Sequence, residues 1–159
     1  MFREMRRQDK KLSMEECVKV LTEETRGVLS VLGDDDYPYA APINHYYNEE
    51  DGKLYFHMGP WDGHRLNALK KHDKVCFCTM DKGYQEEGDW AWNVKSVIVF
   101  GRMEISRDLD LIRDIMIKLA HKFTDDDDFI LGDIEAQGME TLLLVLTPDH
   151  ISGKLVNES

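Results

Sequence analysis

Residues 53–78 have the sequence KLYFHMGPWDGHRLNALKKHDKVCFC, and this stretch decides the fold. Aromatic and apolar residues at 53–58 predict a strand, followed by a loop rich in Gly, Pro and Trp. We expect Asp62 to cap a short amphipathic helix over residues 63–71, because two leucines lie three positions apart within it. Residues 74–80 are apolar again and predict the next strand.

The segments before this stretch predict one helix and two further strands. The sequence SMEE at residue 13 is a capping box and opens a helix that runs to about residue 24. Residues 27–32 predict a strand, an acidic turn follows, and residues 38–47 predict a second strand that pairs with the first as a hairpin. Asp51-Gly52 is a further turn signal, so strand 53–58 is expected to complete an antiparallel meander of three strands.

The second half of the chain contributes more strands and one long helix. The β-branched run 94–105 predicts a strand in which Gly101 marks a bulge or close contact. Apolar residues at helical spacing predict a helix over 108–122, and the acidic run 125–128 predicts a solvated loop. The closing strands are expected at 140–146 and, more weakly, at 151–156. Without regular β-α-β alternation, the pattern favours a mainly β fold with flanking helices (α+β), in which an antiparallel sheet curls into a barrel.

Composition limits the classes of function. The 159 residues are expected to form one domain, and the formal net charge of -11 disfavours binding to nucleic acid or to an anionic membrane surface. No apolar run has the length of a signal core or of the roughly 20 residues that cross a bilayer, so a cytoplasmic location is expected. We expect any phosphate site to be local.

Histidines and cysteines cluster between residues 57 and 78, which raises the question of a metal site. Zinc ligands usually occur at spacings such as C-x2-C, whereas Cys76 and Cys78 flank a single residue on a predicted strand. Free cysteine is among the most buried residue types. We therefore expect two small side chains in the core and no metal.

The turn from Gly63 to Arg65 offers an anion site instead. A helix N-terminus presents unpaired N–H groups and partial positive charge, and Arg65 is able to form a fork onto a phosphate. Two features oppose this interpretation: Asp62 is negative, and Arg65 alone is equally consistent with a solvated surface residue. Spacing leaves the question open.

Several motifs together resemble a known family. These are YPYAAPINHYY, KLYFHMG, GHRLNALKKHDKVCFC, KSVIVFGRMEI and LTPDHISGKL, in that order along the chain. The sequence resembles the pyridoxamine 5'-phosphate oxidase-like, FMN-binding split-barrel superfamily, and within it is most similar to nitroimidazole-resistance (Nim-type) proteins. The resemblance extends from about Arg6 to Val156.

The resemblance implies a six-stranded antiparallel split barrel over residues 1–159, in which residues 1–10 are a flexible segment or a dimer arm. It implies a homodimer with FMN at the subunit interface. Two strands would lie along the isoalloxazine, the loop and first helical turn would hold the phosphate, and a later strand would reach the flavin. The cofactor-binding residues implied are Pro42, Ile43, Asn44, Phe56, His57, Met58, Gly63, His64, Arg65, Lys95, Ser96 and Val97. Many relatives have Lys where this chain has Arg65.

The resemblance also implies an activity. An FMN-dependent oxidoreductase would reduce a small acceptor, with a 5-nitroimidazole-type nitroaromatic as a candidate, and His64 is the candidate catalytic residue. The alternative is a flavin-binding or flavin-sensing protein without turnover, and deazaflavin or haem are further options for the ligand. Three tryptophans could either line the face of the flavin or pack in the dimer interface, and we expect the interface role. They are Trp61, Trp90 and Trp92.

Overall fold

The computed structural model describes residues 1–137 and 140–159. Its α-helices are α1 (Met14–Glu23), α2 (His64–Lys71), α3 (Leu109–Ala120) and α4 (Asp127–Gln137). Its strands are β1 (Arg26–Leu32), β2 (Pro38–Asn44), β3 (Tyr46–Asn48), β4 (Lys53–Met58), β5 (Lys74–Met80), β6 (Tyr84–Gln85), β7 (Trp92–Ser106) and β8 (Leu142–Asn157). Within the described residues these strands form one sheet in the order β2-β1-β5-β7-β8-β4-β3, with β6 added to β7.

The sheet curls because one residue joins its two edge strands. β2 ends at Asn44 and β3 begins at Tyr46, yet these strands lie at opposite ends of the strand order. Only His45 separates them, so the two edges must come together there. The predicted mainly β, antiparallel split barrel is confirmed, although the described residues form eight strands where six were predicted.

The predicted three-stranded meander is wrong in one respect. β1 and β2 form the expected antiparallel hairpin, with Leu32 opposite Pro38. The expected second strand, 38–47, changes partners at His45, and its last part pairs with β4 as the separate strand β3. β4 also pairs with β8 rather than with β2.

The predicted closing strands form one continuous strand, β8, which pairs with β7 over the length of both. The register shifts between Phe100 and Gly101, as the bulge prediction required, and Gly101 lies opposite Pro148. Proline has no N–H to donate to a ladder, and a bulge is one of the places where a strand tolerates it. This is why the turn-like sequence around Pro148 does not interrupt β8.

The helices pack around this sheet. Ser13 and Glu16 form the predicted capping box of α1. Asp108 caps α3, accepting hydrogen bonds from the N–H groups of Asp110 and Leu111. The loop predicted at 125–128 is correct only for its first half: Asp127 and Asp128 form the start of α4, where acidic side chains favour a helix N-terminus.

The core lies inside the curled sheet, beneath α1 and α2. Phe56 of β4 and Phe77 of β5 meet there with ring centroids 5.2 Å apart, and both side chains are fully buried. The interior also buries leucines from β8. No helix in the described residues has the length and apolar character required to cross a bilayer.

Candidate active site

A cavity of about 350 Å³ opens where β1, β2 and β4 come together. Its volume is near the lower end of the range of about 300–1,000 Å³ for small-molecule sites. Four of the predicted cofactor-binding residues line it, and the fifth lining residue comes from β1. The lining residues are Arg26, Pro42, Ile43, Asn44 and His57.

Arg26 is the lining residue that sequence reasoning missed. It lies directly opposite Asn44 in the β1–β2 register, and its Nε–H donates a hydrogen bond of 3.3 Å to Asn44 Oδ1. The predicted hairpin could have identified Arg26. When strands 27–32 and 38–47 pair around the acidic turn with residue 32 opposite residue 38, residue 26 lies opposite residue 44.

His57 brings an uncharged imidazole to the cavity wall. Its side chain is half-buried, and burial lowers its pKa, an effect that Asp133 of α4 partly opposes. Its Nδ1 is buried and has no hydrogen-bond partner among the described residues. A neutral imidazole offers one donor and one acceptor nitrogen, so His57 retains hydrogen-bonding capacity for a ligand.

The N-terminus of α2 is free of the acidic cap that the sequence predicted. Gly63 is the N-cap, with no side-chain hydrogen bond to the first turn. Asp62 instead forms an exposed ion pair with Lys70, with a distance of 3.5 Å between Oδ1 and Nζ. The objection that Asp62 competes with a bound anion at this helix therefore weakens.

His64 is held by the turn between β1 and β2. Its Nε2 accepts a hydrogen bond of 3.0 Å from the N–H of Asp34, and its ring lies 4.2 Å from the ring of Tyr39, centroid to centroid. An accepting Nε2 leaves the proton of a neutral imidazole on Nδ1. His64 does not line the cavity, so its candidate catalytic role remains a prediction that this geometry does not support.

The guanidinium of Arg65 is partly buried without hydrogen bonds to the described residues that would offset the loss of its hydration. Its side chain is half-buried, Nε is buried without a hydrogen-bond partner among the described residues, and burial lowers its pKa. Burying a charge is costly unless it is paired. An anion at this position would supply the missing partner.

The remaining predicted residues do not line this cavity. Phe56 and Val97 are fully buried in the core, and Met58 packs at its edge, because inward positions alternate along their strands. The side chains of Phe56 and Val97 therefore point away from this cavity, and the assignment of these two residues to the cofactor stays a prediction. Lys95 pairs with Glu16 at 3.7 Å, and a second cavity beside the N-terminal segment contains Ser96.

The tryptophans and cysteines lie outside this cavity. Trp61, Trp90 and Trp92 are all exposed, which leaves their predicted interface role untested. Cys76 and Cys78 are half-buried on the outer face of β5, whereas Val75, Phe77 and Thr79 point inward. The prediction of two core cysteines is thus wrong, and no group of three metal-ligating side chains occurs among the described residues.

The fold and the cavity define an antiparallel barrel protein with a small-molecule pocket at the junction of its edge strands. The chain belongs to the pyridoxamine 5'-phosphate oxidase family, whose sequence pattern matches residues 13–155. The family resemblance inferred from the motifs is confirmed. No curated protein sequence matches the chain.

Solved structures share this fold. The chain is similar to a candidate 5-nitroimidazole antibiotic resistance protein from Bacteroides thetaiotaomicron, with a TM-score of 0.73, 18% identity and coverage of 92% of this chain and 87% of that one. It is also similar to a FAD-binding protein from Mesorhizobium loti, with a TM-score of 0.67, 28% identity and coverage of 92% and 97%. A FAD and heme binding protein from Mycobacterium smegmatis gives a TM-score of 0.67 at 20% identity, with coverage of 92% and 73%.

Proposed function

We propose that this protein binds FMN at the cavity and uses it to reduce a small acceptor, with a 5-nitroimidazole-type nitroaromatic as the candidate. The observation that carries the proposal is that two buried polar atoms of this region, His57 Nδ1 and Arg65 Nε, have no hydrogen-bond partner among the described residues. Such groups are rare in native proteins and call for an explanation. Both belong to the strand, loop and helix segment that the family resemblance assigns to the flavin, so a polar ligand would satisfy them.

The described residues divide into two binding regions that fit FMN. Pro42, Asn44 and His57 would contact the ring system, since they combine apolar surface with hydrogen-bonding groups. Gly63 and Arg65 would hold the phosphate, where a helix N-terminus and a guanidinium both favour negative charge. The flavin supplies the hydride chemistry, and the protein supplies binding, orientation and electrostatics.

The proposal is tested by purification of the native protein. We expect a yellow protein whose denaturation releases a molecule with the mass of FMN. FAD is the main alternative cofactor, because the similar protein from Mesorhizobium loti is named as FAD-binding. Release of FAD would support flavin binding but show that the cofactor is not FMN. Colourless protein that neither releases nor takes up flavin would overturn the proposal.

A second candidate function is flavin binding without turnover. The engagement of His64 with Asp34 favours it, because this hydrogen bond occupies the lone pair of Nε2, the nitrogen that a neutral imidazole with its proton on Nδ1 would use as a general base. The two functions separate in one assay. An oxidoreductase reoxidises its bound reduced FMN with 5-nitroimidazole faster than free reduced FMN reacts, whereas a binding protein does not.

We also propose that the protein is a homodimer. The outer face of the sheet exposes a set of large apolar side chains, and the registers align Pro42, Val28, Cys78 and Ile98 in one row across four strands. Since Pro42 also lines the cavity, a second copy on this face would cover the open side of the flavin site.

The exposed apolar residues of the face are Val28, Met80, Ile98 and Phe100. Phe2 stacks on Phe100, with centroids 5.5 Å apart, so residues 1–10 are proposed to belong to this interface as an arm.

A charge on this face should dissociate the dimer. We expect sedimentation velocity to show a dimer for the wild type and a monomer for Val28→Asp, because a two-fold axis brings two copies of the new carboxylate into a buried surface. Leu109→Asp places the same charge on an exposed residue of α3 and should remain dimeric. A monomeric wild type that retains FMN would contradict the shared site.

A further inference from the structure

Lys122 joins two distant segments of the chain through their backbone. It lies just after α3 and is half-buried. Its Nζ donates one hydrogen bond of 2.6 Å to the carbonyl oxygen of Glu24 and another of 2.8 Å to the carbonyl oxygen of His45. Hydrogen bonds from a charged donor are stronger than those between neutral groups. The ammonium therefore ties the end of α1 to the crossover between β2 and β3.

The two acceptors are close neighbours of the cavity. Glu24 lies two residues before Arg26, and His45 directly follows Asn44. A backbone hydrogen bond of 3.2 Å from the N–H of His45 to the carbonyl oxygen of Thr25 connects the same two segments. Beyond it, Arg26 and Asn44 meet at the cavity wall through their side-chain hydrogen bond.

We propose that Lys122 is a positioning residue of the flavin site: by holding the carbonyl groups of Glu24 and His45, it sets the separation of Arg26 and Asn44. The inference rests on the proposed function, because it assigns a role within that same site. Lys122 does not line the cavity, so it acts through the backbone of β1 and β2.

The protonation of Lys122 provides a readout that a merely structural residue would not give. Burial lowers the pKa of Lys122 to about 8, and the charged group that faces it is Glu24. Charged groups around Glu24 are Asp81, Lys82 and Glu23. His45, the other neighbour, has a pKa of about 4 and stays neutral in this range. The ammonium loses its proton between pH 7 and pH 9, and its neutral amine donates weaker hydrogen bonds.

Removal of the amine should weaken FMN binding. We expect Lys122→Met to raise the dissociation constant of FMN at pH 7 about tenfold, the equivalent of one net hydrogen bond. The matched control is Lys118→Met in the last turn of α3, since Lys118 pairs with Asp114 at 2.9 Å and donates no hydrogen bond to Glu24 or His45 among the described residues. The measurement is quenching of flavin fluorescence, with circular dichroism to verify folding.

The pH profile provides the second measurement. For the wild type and Lys118→Met, we expect the dissociation constant of FMN to rise between pH 7 and pH 9. Lys122→Arg keeps its charge throughout this range, so its profile should be flat. A flat wild-type profile, or a folded Lys122→Met that binds FMN as the wild type does, would overturn the proposal. If Lys122→Met fails to fold, the comparison of the pH profiles of the wild type and Lys122→Arg still tests the proposal.

Hydrogen exchange of the flavin-free protein separates this inference from the proposed function. If Lys122 acts as described, the amide of His45 exchanges faster in Lys122→Met than in Lys118→Met, because the segment that carries it is released. Equal exchange rates would reject the positioning role. If no variant binds FMN while the His45 amide still responds, the proposed function fails and the backbone connection stands.

Discussion

Replacing Arg65 with alanine is expected to weaken FMN binding by about 1.5–3 kcal/mol, the range for a hydrogen bond to a charged group, or roughly 10- to 150-fold in the dissociation constant. Arg65 occupies the first turn of α2, and its Nε is buried with no hydrogen-bond partner in the part of the chain that the structure describes. A phosphate would provide that partner. Isothermal titration of the flavin-free protein with FMN measures the effect.

The same variant has an opposite expected effect on the flavin-free protein. The guanidinium of Arg65 is half-buried, and its Nε finds no partner within residues 1–137 and 140–159, so it carries a desolvation cost. Its removal should therefore leave the free energy of unfolding unchanged or raise it. Lost affinity together with retained stability would mark Arg65 as a binding residue rather than a structural one.

Two control variants refine this prediction. Arg65→Lys keeps the charge and loses the planar fork, so its affinity for FMN should lie between those of the wild type and Arg65→Ala. Lys71→Ala removes a positive charge from the exposed, C-terminal end of the same helix and should leave FMN binding unchanged. An unchanged dissociation constant for Arg65→Ala would exclude Arg65 from the site.

Local signals in the sequence predicted much of the fold. The capping box at Ser13 and the bulge at Gly101 follow from side-chain and backbone chemistry within a few residues, and both are confirmed. The hairpin of β1 and β2 depends on a short turn, so its register was also accessible, along with the place of Asn44 beside the cavity. The absence of regular β-α-β alternation favoured a curled antiparallel barrel, and the family resemblance added its split-barrel form, which depends on pairing between distant strands.

Long-range partners explain what the sequence did not show. Residues 38–47 alternate inward and outward side chains without a break, yet the strand changes partners at His45, which only the closure of the barrel requires. The side chain of His64 similarly depends on Asp34, thirty positions earlier in the chain. The outward position of the two cysteines of β5 also depends on which face of the sheet covers the core, a choice that their spacing leaves open.

The second prediction concerns His45, the buried residue at which the two edges of the sheet meet. His45 is fully buried, and its Nε2 lies 2.8 Å from the carbonyl oxygen of Leu21. A carbonyl only accepts, so Nε2 carries the proton, and Nδ1 is left without a partner among the described residues. A second proton would put a charge where no acceptor is available.

Stability should therefore fall in acid. Burial, assisted by the charge of Lys122, lowers the pKa of His45 to about 4 in the folded state, against about 6.5 when unfolded. The unfolded chain binds the extra proton first, so the stability present above pH 6.5 is lost as the pH falls toward 4. With each pKa unit worth about 1.36 kcal/mol, the free energy of unfolding should drop by about 3 kcal/mol through this residue.

Urea unfolding of the flavin-free protein between pH 7 and pH 4 measures this loss. Carboxylates also titrate in this range, so the comparison that isolates His45 is with His45→Gln, whose amide can donate to Leu21 without taking up a proton. His45→Gln should lose less stability over the range, by about 3 kcal/mol, than the wild type. His72→Gln, at an exposed position after α2, should follow the wild type. Parallel curves for wild type and His45→Gln would show that the histidine at the barrel closure does not control the acid response.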